Sequence, residues 1–377
     1  MKLTIRTSVR LASTFAIAGS IAVAGLTSVA SASTKHKAKA KPVAMFTVEK
    51  PAPANLSETG STLLYPLWNL WAPDYQAAYP KVTISTAGTG SGTGIADAAS
   101  GTVNIGSSDA YLSPTTLASS PTLLNIPLAI SYQVIMYNIP GVTAHLKLNG
   151  NVLAKIYLGK ITNWNDPAIT SLNPGVNIPS LGIVALHRSD GSGDTFLFSQ
   201  YLARQDGHDW GSTNYGTTVT WPAIKNSLAE QGNGGMVSGC SSTPGCVAYI
   251  GVSFLTQGLG DGLGYAQLKN GVGQYMMPTA KAVATEATGY TRITPSNGTI
   301  SMINGHVKNG YPIINYEYAI VNKKQSSPAT AQSVRSLLEW AISPKFGNSN
   351  QYLSQVRFLA LPTRVAEQSF KQIHKIR

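Results

Sequence analysis

The chain has 377 residues, 43% of them hydrophobic, and a formal net charge of +12 from 28 Lys and Arg against 16 Asp and Glu. Lys2, Arg6 and Arg10 carry three of those charges, a Lys-rich stretch before residue 51 carries four and the segment from Arg364 carries three, so residues 51–363 are nearly balanced. No basic stripe interleaved with aromatics remains, which speaks against a nucleic-acid partner.

In chain order, the three early cations precede an uncharged Ala/Gly-rich run from Leu11 to Val29, and Ala30-Ser31-Ala32 supplies the small-x-small pattern of a cleavage site. Residues 1–32 read as a secretory signal peptide; the alternative, a membrane anchor, is weakened by the Gly and Ser in the run. No Cys precedes Cys240, so anchoring through a lipidated N-terminal Cys is not expected. No other segment approaches the roughly 20 unbroken apolar residues of a spanning helix, so the mature protein is expected to be exported and not itself transmembrane. Residues 33–53, with Lys35, Lys37, Lys39 and Lys41 spaced by small residues and Pro42, Pro51 and Pro53 following, are expected to form a disordered tether. Such a composition buries too little apolar surface to offset its ordering entropy. A solvated spacer is the simpler role for it, and adhesion to an anionic envelope surface the alternative.

Beyond the tether, helix and strand patterns alternate. Leu63–Tyr79 is apolar at helical spacing, with Pro66 in the first turn and Pro73 predicting a kink. Residues 81–86 alternate as a strand, a helix is predicted over 94–100, and 103–106, 131–138 and 183–186 read as strands. Late in the chain a strand over 312–321 is followed by an amphipathic helix over 329–342. This succession of strand, glycine-rich turn and helix predicts an α/β fold with ligand sites at strand ends. Cys240 and Cys246 flank a short Pro/Gly turn, and in an oxidising compartment they are expected to form a local disulfide.

Three segments place glycines and hydroxyls where a helix begins: Thr59-Gly60-Ser61-Thr62, Gly88-Thr89-Gly90-Ser91-Gly92-Thr93-Gly94, and His187 to Thr195. The first N–H groups of a helix are unpaired and lie at its positive end, so three such ends aimed at one point would cage an oxyanion. Any one segment is more simply a helix cap; their repetition, with Arg188 in the third, points to an anion site. Asp109 and Asp194 are the unusual members. A carboxylate accepts a hydrogen bond from a protonated phosphate but meets fully ionised sulfate acceptor to acceptor. Asp190 reads as the partner of Arg188. Catalysis finds little support: the six His are scattered, no His/Asp metal pattern occurs, Ser91 and Ser192 lack the G-x-S-x-G context, and no nucleotide-binding glycine motif is present.

Ser61-Thr62-Leu63, Gly88-Thr89-Gly90-Ser91-Gly92, Gly106 to Ser113 and Arg188-Ser189-Asp190-Gly191-Ser192-Gly193, in this order, resemble the PstS family, the phosphate-binding proteins of ABC-type phosphate importers. Tyr157-Leu158-Gly159-Lys160-Ile161 with Trp164-Asn165-Asp166, and Leu172-Asn173-Pro174-Gly175, strengthen the likeness, which runs from about Ser57 to Pro362. It implies a two-lobed hinged periplasmic-binding-protein fold, each lobe a mixed sheet flanked by helices, with lobe I formed by 54–129 and 309–377 and lobe II by 130–308. It further implies phosphate ligands at Thr62, Leu63, Ser91, Asp109, Arg188, Ser192 and Gly193, with Asp194 standing where Thr is common and Leu63 where Phe is usual. Asp194, the Gly239–Cys246 segment and Tyr311 to Tyr316 look more like an actinobacterial branch. The expected protein is a monomer that uses no cofactor or metal and hands phosphate to membrane permease subunits. The rivals are a site for arsenate, sulfate or molybdate, an exported phosphatase, and a surface adhesin or sensor.

Overall fold

The structure, a computed structural model, describes residues 47–377. The signal peptide and residues 33–46 of the tether lie outside the described residues. Eight principal strands are β1 (Ala54–Gly60), β2 (Val82–Ala87), β3 (Ile105–Ser108), β4 (Leu123–Tyr137), β5 (Val184–Arg188), β6 (Ser227–Glu230), β7 (Cys246–Gly251) and β8 (Ile314–Asn322). Principal helices are α1 (Tyr65–Ala78), α2 (Ser91–Ser100), α3 (Gly150–Tyr157), α4 (Gly193–Gln205), α5 (Gly232–Ser241), α6 (Ala280–Tyr290), α7 (Pro328–Ile342) and α8 (Thr363–Ile373).

The strands form one curled mixed sheet in the order β2-β1-β3-β8-β4-β7-β5-β6, with a two-residue strand, Gly264–Tyr265, pairing beside β4. β1 runs parallel to β2 and β3, while β8 is antiparallel to β3 and β4. β7 is antiparallel to β4, and β5 is parallel to both β6 and β7. β4 joins the two halves. Its Leu123–Tyr132 part pairs with β8, and its Gln133–Tyr137 part pairs with β7. All 15 of its residues are buried, as expected of a strand covered on both faces. The late strand β8 lies between β3 and β4.

The pairing of β8 with β4 breaks register between Glu317 and Tyr318, opposite Pro127. Proline has no N–H to give a ladder, so a bulge is where an interior strand can hold one. The Pro127 carbonyl is satisfied from outside the sheet by the Ser369 hydroxyl of α8, at 2.7 Å.

α1 buries Leu67, Trp68, Trp71, Ala72 and Tyr75, and runs on through Pro73. The Trp68 indole donates to Ser107 Oγ of β3 at 2.8 Å, and Tyr75 OH donates to Ser336 Oγ of α7 at 2.8 Å. These bonds fix the pitch of α1 and so the place of its N-terminus. In the other half, Tyr157, Phe198, Tyr249, Trp210 and Trp221 pack ring against ring around β5 and α4. The predicted disulfide between Cys240 and Cys246 is formed, tying the end of α5 to the start of β7.

Several expected boundaries move. The helix expected from residue 94 begins at Ser91, because Gly90, at φ +98°, turns the chain directly into it. The strand expected over 103–106 lies two residues later, because the N–H groups of Thr102 and Val103 close α2 on the Asp97 carbonyl. The tether is corrected at its far end. Residues 49–52 are not loose but lie on α7: Arg335 holds Glu49 through two 2.9 Å bonds, the Glu49 N–H meets Glu339 at 2.6 Å, and Ser333 reaches the Ala52 carbonyl. A Lys/Pro composition gave no hint that its lone acid would find an Arg partner.

Candidate anion-binding site

β1 and β5 end at helix starts that face one another between the two halves, as strand ends do in α/β sheets that bind ligands. After β1 the chain turns through Ser61 and Thr62 into α1. Ser61 Oγ caps that turn by accepting from the Leu64 N–H at 2.9 Å. Ser91 is the first residue of α2. On the opposite side Ser192 caps α4, its Oγ accepting from the Thr195 N–H at 3.2 Å, and Gly193 opens the helix. The halves touch here: the Gly92 N–H donates to the Gly191 carbonyl at 2.8 Å, and Ser253 Oγ donates to the Leu63 carbonyl at 2.8 Å. The Leu63 side chain is fully buried, against Gly251.

A fourth helix start was not among the expected segments. At the N-terminus of α5, the Asn233 N–H and side-chain amide both donate to Thr62 Oγ1, at 3.2 and 3.0 Å. Asn233 also donates to Asp194 and accepts from the Gly251 N–H at 2.7 Å. The sequence Gly232-Asn233-Gly234-Gly235 repeats the glycine-plus-polar design of the other three and was the signal available.

Asp109 follows β3 and is 2% exposed. Ser61 Oγ donates to its Oδ1, Ser91 Oγ lies 3.4 Å from Oδ2, and its own N–H donates to Ser91 Oγ at 3.2 Å. Burial first, then the charge of Asp194, pushes the Asp109 carboxyl up to about 7, against hydrogen bonds from Glu317 and Ser61 and the charge of Arg188. Glu317 of β8 stands beside it and was missed by sequence reading, because a Glu inside a β-strand pattern carries no site signature. Burial and the neighbouring Asp109 push Glu317 well above the usual carboxylate range.

Arg188 ends β5 and is 4% exposed. Its Nε donates to Asp190 Oδ1 at 2.6 Å and its Nη2 to Asp190 Oδ2, so Asp190 is its planar partner as expected. Burial would lower the guanidinium, but Asp190 and Asp194 hold it charged. Asp190 is held below the usual carboxylate range by Arg188, which outweighs its burial. Asp194 is wholly buried and its carboxyl is engaged throughout. It accepts from Gln133 Nε2 at 3.0 Å, from Arg188 Nη1 at 3.3 Å and from Asn233 Nδ2 at 2.6 Å. Burial raises it despite those donors.

The structure therefore brings Thr62, Leu63, Ser91, Asp109, Arg188, Ser192, Gly193 and Asp194 to one place between the halves. Within it Arg188 is the positive charge, set among three acidic groups, so attraction for an anion must come chiefly from helix N–H groups and hydroxyls. Among the described residues no group of three or more His, Cys, Asp or Glu could hold a metal ion.

A curled mixed sheet in two halves, with helix starts converging between them, defines the class: a two-lobed binding-protein fold. Residues 29–345 match the family model described as the PBP superfamily domain. The phosphate-binding protein PstS of Xylella fastidiosa (strain 9a5c) is 30% identical over 323 residues, 85% of this chain and 85% of that protein. PstS of Methanocaldococcus jannaschii is 31% identical over 351 residues, 87% of this chain and 88% of that one. A solved periplasmic phosphate-binding protein, PfluDING bound with phosphate, superposes with a TM-score of 0.65 at 22% identity, covering 83% of this chain and 92% of its own. The chain belongs to the PstS family of phosphate-binding proteins.

Proposed function

We propose that this chain captures inorganic phosphate outside the cytoplasmic membrane and delivers it to the permease subunits of an ABC-type importer. The observation that carries the reading is the meeting of the α1, α2 and α4 starts around Asp109 and Arg188, in a chain of the PstS family. N–H groups and hydroxyls of Thr62, Leu63, Ser91, Ser192 and Gly193 supply donors, and Arg188 supplies a positive fork pre-set by Asp190. Asp109 supplies an acceptor for the phosphate proton. The Asp194 backbone belongs to the cage, while its carboxylate holds Arg188 in place. Lobe I comprises 54–129 and 309–377, lobe II comprises 130–308, and binding closes one on the other. The protein acts as a non-catalytic monomer. Among the described residues no helix is long and apolar enough to cross a membrane, which fits a carrier that docks on a separate permease.

Calorimetric titration of the anion-stripped protein with phosphate and then sulfate tests this. One-to-one phosphate binding with no sulfate signal is expected, with affinity in Asp109→Asn reduced at least about tenfold, as for one charge-assisted hydrogen bond. Equal binding of the two anions would sink the proton-reading role of Asp109.

A further inference from the structure

Beside Asp109 lies a second acid, one of whose carboxyl oxygens has no hydrogen-bond partner. Glu317 is fully buried at the register break of β8. Its Oε1 accepts from the Ser131 hydroxyl and from Asn315 Nδ2, the latter at 3.1 Å. Its Oε2 is buried with no donor directed at it. Asn315 Nδ2 also donates to the Asp109 carbonyl at 3.2 Å, and the antiparallel register of β8 on β3, which pairs Tyr318 with Ser108, sets Glu317 directly across from Asp109. Two buried carboxyls set side by side cannot both be charged, so one of the pair must carry a proton.

The surroundings decide which. Asp109 faces Ser61 from the β1–α1 turn, Ser91 from α2, Asp194 at the start of α4 and Arg188 from β5, with Asp190 on the far side of the guanidinium. Ser61 donates to its Oδ1, the Ser91 hydroxyl stands by its Oδ2, and Arg188 favours its charge. Glu317 has Ser131 and Asn315 on Oε1 and, among the described residues, no salt bridge.

We propose that Glu317 is held as the neutral acid and donates its Oε2–H to Asp109, so that the two carboxyls act as one singly charged acceptor. Glu317 is thus a positioning residue. With acceptor sites of Asp109 taken by Ser61 and by Glu317, the lone pair left on Oδ2 is the one that faces Gly193 and the helix starts. The consequence for ligand choice rests on the phosphate reading above, whereas the hydrogen bond does not.

Two measurements separate these. Infrared spectroscopy of the ligand-free protein at neutral pH should show the carbonyl stretch of a protonated carboxylic acid that is lost in Glu317→Gln. Phosphate titration across pH should then show rescue by Glu317→Gln, whose amide still donates, to within about threefold of wild type. Glu317→Leu should bind about tenfold more weakly at neutral pH, as for one lost charge-assisted bond. Without its donor Asp109 takes up a proton more readily, so that deficit should widen as pH falls and shrink as it rises. Thermal melts confirm that each variant is folded. An acid band that Glu317→Gln leaves unchanged, a loss of about tenfold in Glu317→Gln, or a Glu317→Leu deficit flat with pH would overturn the proposal. A band that is lost in Glu317→Gln, in a protein that binds no phosphate, would uphold the carboxyl pair and remove only the phosphate reading.

Discussion

Acidic side chains are where this fold departs most from ordinary burial. Glu58 of β1 is 3% exposed and neither carboxyl oxygen has a hydrogen-bond partner of normal geometry. Burial, only partly opposed by Ser107 and the Ala87 backbone, pushes it up to about 8. An acid whose folded value is raised favours the folded state while it is protonated. Its contribution is intact below the unfolded value of 4.5 and is lost as pH rises towards 8. The limiting slope is about 1.4 kcal/mol per pH unit for one group. We expect the melting temperature of the wild type to fall between pH 5 and 8 and that of Glu58→Gln to fall less over the same window. Parallel curves for the two would show that Glu58 ionises freely. The same physics governs the site, where Arg188 is saturated by Asp190 and Asp194. A bound anion therefore meets a guanidinium already held in plane, and no side chain has to reorganise to receive it.

At the scale of elements, α5 links the site to the disulfide. Its first turn holds Thr62 and Asp194 through Asn233, and its last turn carries Cys240. The bridge to Cys246 closes a loop of sequence separation 6, for which loop entropy contributes about 2 kcal/mol. Urea unfolding of a Cys240→Ser/Cys246→Ser variant should show a loss of that order. Phosphate affinity should hold, because Asn233 keeps its bonds to Gly251 and Asp194; a collapse in affinity would show that the bridge, not Asn233, places the helix. The helix-start segments were legible in the sequence because glycine and hydroxyl chemistry is local. Asp190 as the partner of Arg188 was legible for the same reason. β1 was not: its residues ANLSETG carry few apolar side chains, yet it runs between β2 and β3, held by parallel pairing on both edges. β7 was read only as the neighbourhood of the disulfide. Glu317 and Gln133 escaped because each reaches the site across a long chain separation, which no spacing rule encodes, whereas Asn233 stood in a glycine-rich helix start that carried the same local signal as the others.

At the scale of the whole molecule, the two halves meet through contacts that leave no room for a side chain. A Cβ added to Gly193 would lie 2.4 Å from Asp109 Oδ2 and 2.6 Å from Ser91 Oγ, both from the opposite half. Gly193 has no left-handed backbone, so an alanine there does not strain the start of α4. The obstruction is one of closure, not of folding. Tyr111 and Phe196, edge to face at 5.1 Å, and the Gln200–Tyr111 bond add attraction across the same seam. Gly193→Ala is thus expected to keep the wild-type melting temperature in the absence of anion while binding phosphate more weakly, by about a hundredfold if closure contributes about 3 kcal/mol. Small-angle X-ray scattering should then show phosphate shrinking the wild type but leaving the variant extended. A variant that compacts on phosphate like the wild type would mean that the halves yield around an extra methyl group, and that close approach of Gly193 to Asp109 is not what completes the cage.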